Sequence, residues 1–180
     1  YMRAPDGQIV YGEDGYPLLN TDLIYLGDST PKGKFSMGTE LKYKGFNFSI
    51  LFDGQFGGKG YSQTTAILME QGKLKRTLPG RYNGIIGDGV IQNPDGSYRK
   101  NDVVATEIWT YYTRHYGREN IEGNIYSTDF LKLREITLGY TFPTKISKKL
   151  GLQKLSIGIY GRDLFMITNW PAFDPEFGTL

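Results

Sequence analysis

The run Phe130-Leu131-Lys132-Leu133-Arg134-Glu135-Ile136-Thr137-Leu138-Gly139-Tyr140-Thr141-Phe142 alternates with a period of two, the spacing that sends successive side chains to opposite faces of a sheet. By this count Phe130, Lys132, Arg134, Ile136, Leu138, Tyr140 and Phe142 share one side, and Leu131, Leu133, Glu135, Thr137, Gly139 and Thr141 share the other. The first side is mixed in polarity at its start and becomes apolar from Ile136 onward. Three further stretches carry the same period. In 34–44, Phe35, Met37, Leu41 and Tyr43 oppose Ser36, Gly38, Glu40 and Lys42. In 46–56, Phe46, Phe48, Ile50 and Phe52 oppose Asn47, Ser49, Asp53 and Gln55, and in 154–166, Leu155, Ile157, Ile159 and Gly161 oppose Ser156, Gly158, Tyr160 and Arg162. Lys44-Gly45 between the first two reads as a tight hairpin turn, because a two-residue loop needs the positive φ that glycine supplies.

The connections alternate in length. A two-residue turn is followed by a long segment, 57–129, and then by a short connector, 143–154, carrying Lys145, Lys148 and Lys149. A loop as long as the middle one holds structure of its own or serves a function. Helical runs are expected within it at 61–72, stopping at Gly72, and at 105–117, stopping at Gly117. Gly87-Asp88-Gly89 and Asn93-Pro94-Asp95-Gly96 are turn chemistry.

Composition agrees with a sheet-rich chain. Among 180 residues there are 24 glycines, 14 tyrosines and 10 phenylalanines, a mixture that is costly in helices and suited to turns and pleated surfaces. A net charge of +2, with no block of like charges, argues against nucleic acid as a partner. The absence of cysteine excludes disulfides and thiol chemistry, and a single histidine excludes a multi-histidine metal site. No stretch is long and apolar enough for a membrane-spanning helix, and residues 1–7 lack the basic-then-apolar pattern of a signal peptide. The start at Tyr1 and the Pro/Gly-rich ending lead us to expect a piece of a longer protein.

Long antiparallel strands with one aromatic-rich face, short turns at one end and long loops at the other are the pattern of an outer-membrane β-barrel. Hydrocarbon leaves no partner for an open backbone edge, so such a sheet must close, and four strands are too few to do so. The remaining staves are therefore expected from residues outside this chain.

A family resemblance enters through ordered motifs. The stretch from Asp129 through Pro143 is similar to the late-barrel signature of SusC/RagA-type TonB-dependent transporters. So is Tyr160-Gly161-Arg162-Asp163-Leu164-Phe165, where the family usually has Asn in place of Asp163, followed by Phe173-Asp174-Pro175-Glu176. Upstream, Tyr43-Lys44-Gly45-Phe46 and Gly54-Gln55-Phe56-Gly57-Gly58 resemble the same family in the same order. The resemblance implies an all-β fold, antiparallel strands forming the C-terminal part of a transmembrane barrel of about 22 strands. It implies an outer-membrane location and import of a glycan oligomer or a peptide with energy from TonB, which would engage an N-terminal plug region absent here. A SusD-like surface lipoprotein is the implied partner, and outer-membrane lipid the implied surroundings. Orientation follows: Gly45 and 143–154 would face the periplasm, and 57–129, a partly helical loop, would be extracellular together with the first thirty or so residues and the chain from Thr168 onward.

No catalytic residue, cofactor or metal is expected. His115 reads as a loop histidine with its ring packed and its nitrogens solvated. Asp88, Asn93, Asp95 and Asp102 have the oxygen chemistry of a Ca²⁺ site but not an EF-hand's spacing, and they read as turn formers. Asp174 with Glu176 and Glu119 with Glu122 are paired carboxylates without a predicted cleft. Trp109, Tyr111, Tyr112 and Tyr116 are the candidate substrate contacts, since such rings stack on sugars and peptides; packing of a large folded loop is the competing explanation. Phe46, Phe48, Ile50, Phe52, Tyr140, Phe142 and Tyr160 read as lipid-facing or interfacial. The rival functions are a soluble all-β carbohydrate-binding module and a secreted β-rich hydrolase.

Overall fold

The structure, a computed structural model, describes residues 1–177. It forms two compact units, one made of 28–59 and 127–170, the other of 1–27, 60–126 and the segment beginning at Pro171.

The first unit is a four-stranded antiparallel sheet. Strands β1 (Gly33–Tyr43), β2 (Phe46–Phe56), β3 (Phe130–Thr141) and β4 (Ser156–Thr168) pair in chain order, an up-and-down meander. At about 3.3 Å per residue they are roughly 36 Å long or more. The Tyr43–Phe46 pair closes β1 onto β2 around Lys44 and Gly45, with φ of 46° and 93°. Two consecutive left-handed residues are what a type I′ hairpin requires, so the expected turn forms, with Lys44 sharing the left-handed geometry expected of Gly45 alone. Thr141 N–H donates to Gly45 O at 2.8 Å, tying the same turn to the end of β3. The 143–154 connector contains a six-residue helix, Thr144–Lys149, that the alternation did not foretell.

One irregularity governs the sheet. Leu133 faces Phe52 and Glu135 faces Leu51, so Arg134 is an extra residue on β3 relative to β2. Across the other edge Leu133 faces Phe165 and Glu135 faces Arg162, so Asp163 and Leu164 stand against Arg134. This is a bulge carried across two ladders, and a one-residue insertion flips every later side chain to the other face. The assignment from strict alternation is corrected accordingly. Leu131 and Leu133, not Phe130 and Lys132, share the face of Ile136, Leu138 and Tyr140; the mixed polarity at the start of the run was the trace of the flip. Asp163 has φ of 48°. Asp and Asn tolerate the left-handed region better than other non-glycine residues, which gives the Asp/Asn preference at this point of the motif a backbone reason.

The second unit holds the helices α1 (Gln63–Glu70) and α2 (Ile108–Tyr116), within the two segments expected to be helical. Ser62 caps α1 by accepting from Thr65 N–H at 3.3 Å, and Gly72, at φ 63°, follows its end. The core joins Tyr11, Met69, Ile91, Ala105, Tyr111 and Tyr112. Beside it, Val10–Tyr11 runs parallel to Val90–Gln92, which pairs antiparallel with Tyr98–Lys100 around the Asn-Pro-Asp-Gly turn. Among the described residues no helix is long and apolar enough to cross a membrane, a finding that does not bear on strands. The fold is mostly antiparallel sheet with few helices, and no barrel closes among the described residues, β1 and β4 being open edges.

The backbone at the bulge makes a prediction. Asp163→Asn should leave stability within about 0.5 kcal/mol, whereas Asp163→Val, β-branched at positive φ, should cost about 1–2 kcal/mol, read from urea unfolding of the whole protein in detergent micelles. Equal effects of the two substitutions would remove the conformational explanation.

Candidate functional site

Register sorts the sheet's side chains into two chemically distinct faces. One carries Met37, Leu41 and Tyr43 of β1, Phe46, Phe48, Ile50 and Phe52 of β2, Leu133, Ile136, Leu138 and Tyr140 of β3, and Ile157, Ile159, Phe165 and Ile167 of β4. Much of it is open: Ile157 is 66% and Ile159 71% exposed. The aromatic rings gather toward the short-turn end, where Phe46 and Tyr140 lie 4.6 Å apart and Tyr140 meets Phe142 edge-on at 5.0 Å.

The opposite face is mostly polar, carrying Ser36, Glu40, Lys42, Asn47, Ser49, Asp53, Lys132, Glu135, Thr137 and Arg162, with Leu51, Phe130 and Met166 interspersed. Tyr160, expected among the lipid-facing rings, lies on this face opposite Thr137. At the bulge, Arg134 donates from Nε and Nη2 to one oxygen of Asp53, at 2.9 and 2.7 Å, and from Nη1 to Asp163 at 3.4 Å. The insertion that breaks the ladder thus places a cation between carboxylates of both neighbouring strands. Charge-assisted bonds of this kind hold orientation as well as energy.

The helical unit holds a different arrangement. Of the sequence-predicted contacts, Tyr111 and Tyr112 are buried in the core, at 8% and 6% exposure, and Tyr116 packs half-buried against it. Tyr112 Oη donates to Pro79 O at 3.0 Å. Trp109, in the first turn of α2, is 63% exposed. It lines a cleft of about 360 Å³ together with Tyr112, Glu70 and Gly72 at the end of α1, Arg81, and Glu107. Arg81 is fixed from one side: Nε donates to Thr77 O at 3.0 Å and Nη2 to Gly72 O at 2.8 Å. Glu70 accepts from Arg118 N–H at 2.7 Å and from its guanidinium at 3.0 Å. Arg81, Glu70 and Glu107 escaped the sequence reading because nothing in their spacing relates residues so far apart in the chain.

His115 is buried, and its nitrogens are held by protein rather than by solvent, correcting the expectation. Tyr1 Oη lies 3.2 Å from Nδ1 and Tyr11 Oη 3.1 Å from Nε2. Tyr1 spends its single proton on His115 O at 2.7 Å, so it accepts from Nδ1–H, and Nε2 accepts from Tyr11. Burial pushes the imidazole pKa down to about 4, and burial likewise raises both tyrosines. A neutral ring satisfied at both nitrogens is a core element; among the described residues no serine, threonine or carboxylate side chain is hydrogen-bonded to it.

Four of the carboxylates considered for ion binding or hydrolysis, those of Asp95, Asp102, Glu122 and Asp174, serve local structure. Asp95 Oδ1 accepts from the Ser97 N–H at 2.9 Å and from its hydroxyl at 2.6 Å, and these bonds lower the Asp95 pKa. Asp102 pairs with Arg99 and Glu122 with Arg3, and Asp174 accepts from Glu176 N–H at 2.9 Å. Among the described residues no three His, Asp or Glu side chains gather as a metal cluster.

Comparison with known proteins bears on this geometry. No protein-family profile matches the chain. Its sequence is 33% identical over 159 residues to TonB-dependent receptor P39 of Formosa agariphila, covering 87% of this chain and 14% of that protein. It is 24% identical over 176 residues to TonB-dependent receptor P3 of the same organism, covering 96% and 16%. The fold matches the RagAB peptide importer in its open-open state with a TM-score of 0.56 at 18% identity, over 94% of this chain and 18% of that one. The closed-closed state gives 0.55 at 17%, over the same shares. The sequence likenesses are thus to TonB-dependent receptors and the structural likenesses are of fold, in agreement with the resemblance to SusC/RagA-type transporters read from the sequence; the chain spans about a sixth of the length of the curated relatives it matches. Those relatives are receptors, not enzymes.

The buried imidazole makes a prediction with a definite sign. Its folded pKa of about 4 lies below the ordinary 6.5, so between those values the unfolded unit binds a proton that the folded one refuses. Its contribution is complete above about pH 6.5 and falls by about 1.4 kcal/mol per pH unit toward pH 4. Amide exchange of α2 in the whole protein, corrected for intrinsic rates, should show that slope, and His115→Gln should flatten it.

Proposed function

We propose that this chain supplies adjacent wall strands and outer loops of an outer-membrane importer driven through TonB. The observation that carries the reading is the apolar face, continuous over four paired strands and exposed along them, set back to back with a polar face. A sheet of a soluble domain buries such a face, whereas a transmembrane barrel turns it to lipid. Strands of roughly 36 Å tilted by about 40° rise about 28 Å, close to the apolar band of such barrels. The open edges of β1 and β4 would pair with further strands of the same wall. The aromatic cluster at the short-turn end fits a ring of interfacial side chains, here assigned to the periplasmic rim, with the polar face lining the lumen.

In this reading 57–129, the segment before β1 and the segment after β4 are extracellular. The imported substrate is a glycan oligomer or a peptide, and a SusD-like surface lipoprotein is the partner. The likeness to a transporter complex supports the partnership, and the sequence likeness to TonB-dependent receptors supports the energy source.

Lipid contact can be measured directly. In the full-length receptor reconstituted in bilayers with brominated acyl chains, a tryptophan introduced by Ile159→Trp should be strongly quenched, and one introduced by Thr137→Trp should not. Equal, weak quenching at both positions would point to a second protein layer over Ile159, as a soluble binding module would have.

A further inference from the structure

We propose that the short-turn end of the sheet is a binding site for anionic phospholipid, with Lys44, Lys145, Lys148, Lys149 and Lys154 meeting the phosphate and a hollow in the apolar face seating an acyl chain. The charge pattern carries it. Residues 41–52 and 136–162, which include both short connections and the strand ends beside them, contain no Asp or Glu. All five lysines are exposed, and none forms an ion pair among the described residues. Lys42, by contrast, is paired with Glu40 at 3.0 Å on the opposite face. Because the whole chain has a net charge of only +2, the remainder of it is net negative, and the unpaired cations are concentrated at this end. The Lys44 ammonium lies 5.2 Å from the centre of the Tyr43 ring, which places its charge beside the aromatic band of the apolar face.

The apolar neighbours decide what the cations meet. Ile146, Leu150 and Leu152 stand among the lysines at 44%, 62% and 43% exposure. A dissolved polyanion would neutralise the ammonium groups and leave these side chains in water, whereas a lipid covers both, hydrocarbon on the apolar groups and phosphate on the cations. A zwitterionic headgroup would bring a further ammonium into a cluster that has no carboxylate, so a net negative headgroup is favoured. The sheet also offers the acyl chain a seat, a hollow of about 400 Å³ lined by Phe48, Ile136, Leu138, Ile159, Gly161 and Leu164. Gly161 contributes no side chain, and Leu164 leans into the space that one would take, its Cδ1 only 2.7 Å from where a Cβ on residue 161 would stand. Ile159 lies three residues past the start of β4, about 10 Å along the strand. One leaflet of hydrocarbon is about 15 Å deep, so an acyl chain whose phosphate meets the lysines reaches the hollow.

This site rests on the import reading, which turns the apolar face to hydrocarbon and the short turns to the periplasmic rim. The test uses the full-length receptor in vesicles of phosphatidylcholine and phosphatidylglycerol in equal parts, with bromine on the acyl chains of one lipid or the other. A tryptophan introduced by Ile157→Trp, near the rim, should be quenched about threefold more strongly by brominated phosphatidylglycerol than by brominated phosphatidylcholine. One introduced by Ile167→Trp, at the other end of the same face, should be quenched equally by both. Lys145→Gln, Lys148→Gln and Lys149→Gln together should abolish the preference at Ile157→Trp, as should about 1 M salt. Equal quenching by the two lipids at Ile157→Trp would overturn the site and leave the lysines to a dissolved polyanion. The same preference at both ends of the face, or one that survives the lysine replacements, would overturn it as well. Weak quenching by both lipids at both positions would instead overturn the import reading, and the site with it.

Discussion

A side chain on a strand has two directions available, and the whole chemistry of this sheet depends on where the alternation between them is interrupted. At Arg134 one residue is inserted against β2, and Asp163 and Leu164 answer it on β4. Without the insertion, Lys132 would project among Ile136 and Leu138. With it, the leucines at 131 and 133 join that face, and Lys132 joins Asp53 and Glu135. An apolar face free of charged side chains therefore depends on an irregular ladder, and the cost of the irregularity is met locally by Asp163 at positive φ and by Arg134 between two carboxylates.

This explains what could be read from the residues and what could not. The four strands, the Lys44-Gly45 turn and both helical segments follow from period, glycine placement and capping, all of which act over a few neighbours. The side assignment of Phe130 and Lys132 could not follow, because a bulge is a relation between strands. The polar-then-apolar switch at Ile136 did record it, as a conflict between polarity and parity. The short helix at Thr144–Lys149 left no comparable trace: Pro143 opens it and three lysines fill it, but six residues are too few for a periodic signal.

The candidate contacts divide the same way. An aromatic run offers no distinction between a ring that packs and a ring that binds, and Trp109, Tyr111, Tyr112 and Tyr116 looked alike in sequence. Helical geometry separates them, since residues in adjacent positions of α2 point about 100° apart. Tyr111 and His115, four apart, share the buried side, while Trp109 emerges toward the cleft. The imidazole, a plausible reagent when seen alone, becomes a core strut once Tyr1 and Tyr11 are found on its two nitrogens.

Gly33, Phe56, Phe130 and Thr168 all lie at one end of the sheet, so every long excursion of the chain leaves and returns by the same rim. Lengthening a flexible excursion is thermodynamically inexpensive, about 0.6 kcal/mol for each doubling, whereas altering a stave disturbs two neighbours at once. Evolution can therefore rewrite what projects from that rim, by insertion, deletion or wholesale replacement, while the staves stay nearly fixed, and diversity among relatives should accumulate there first.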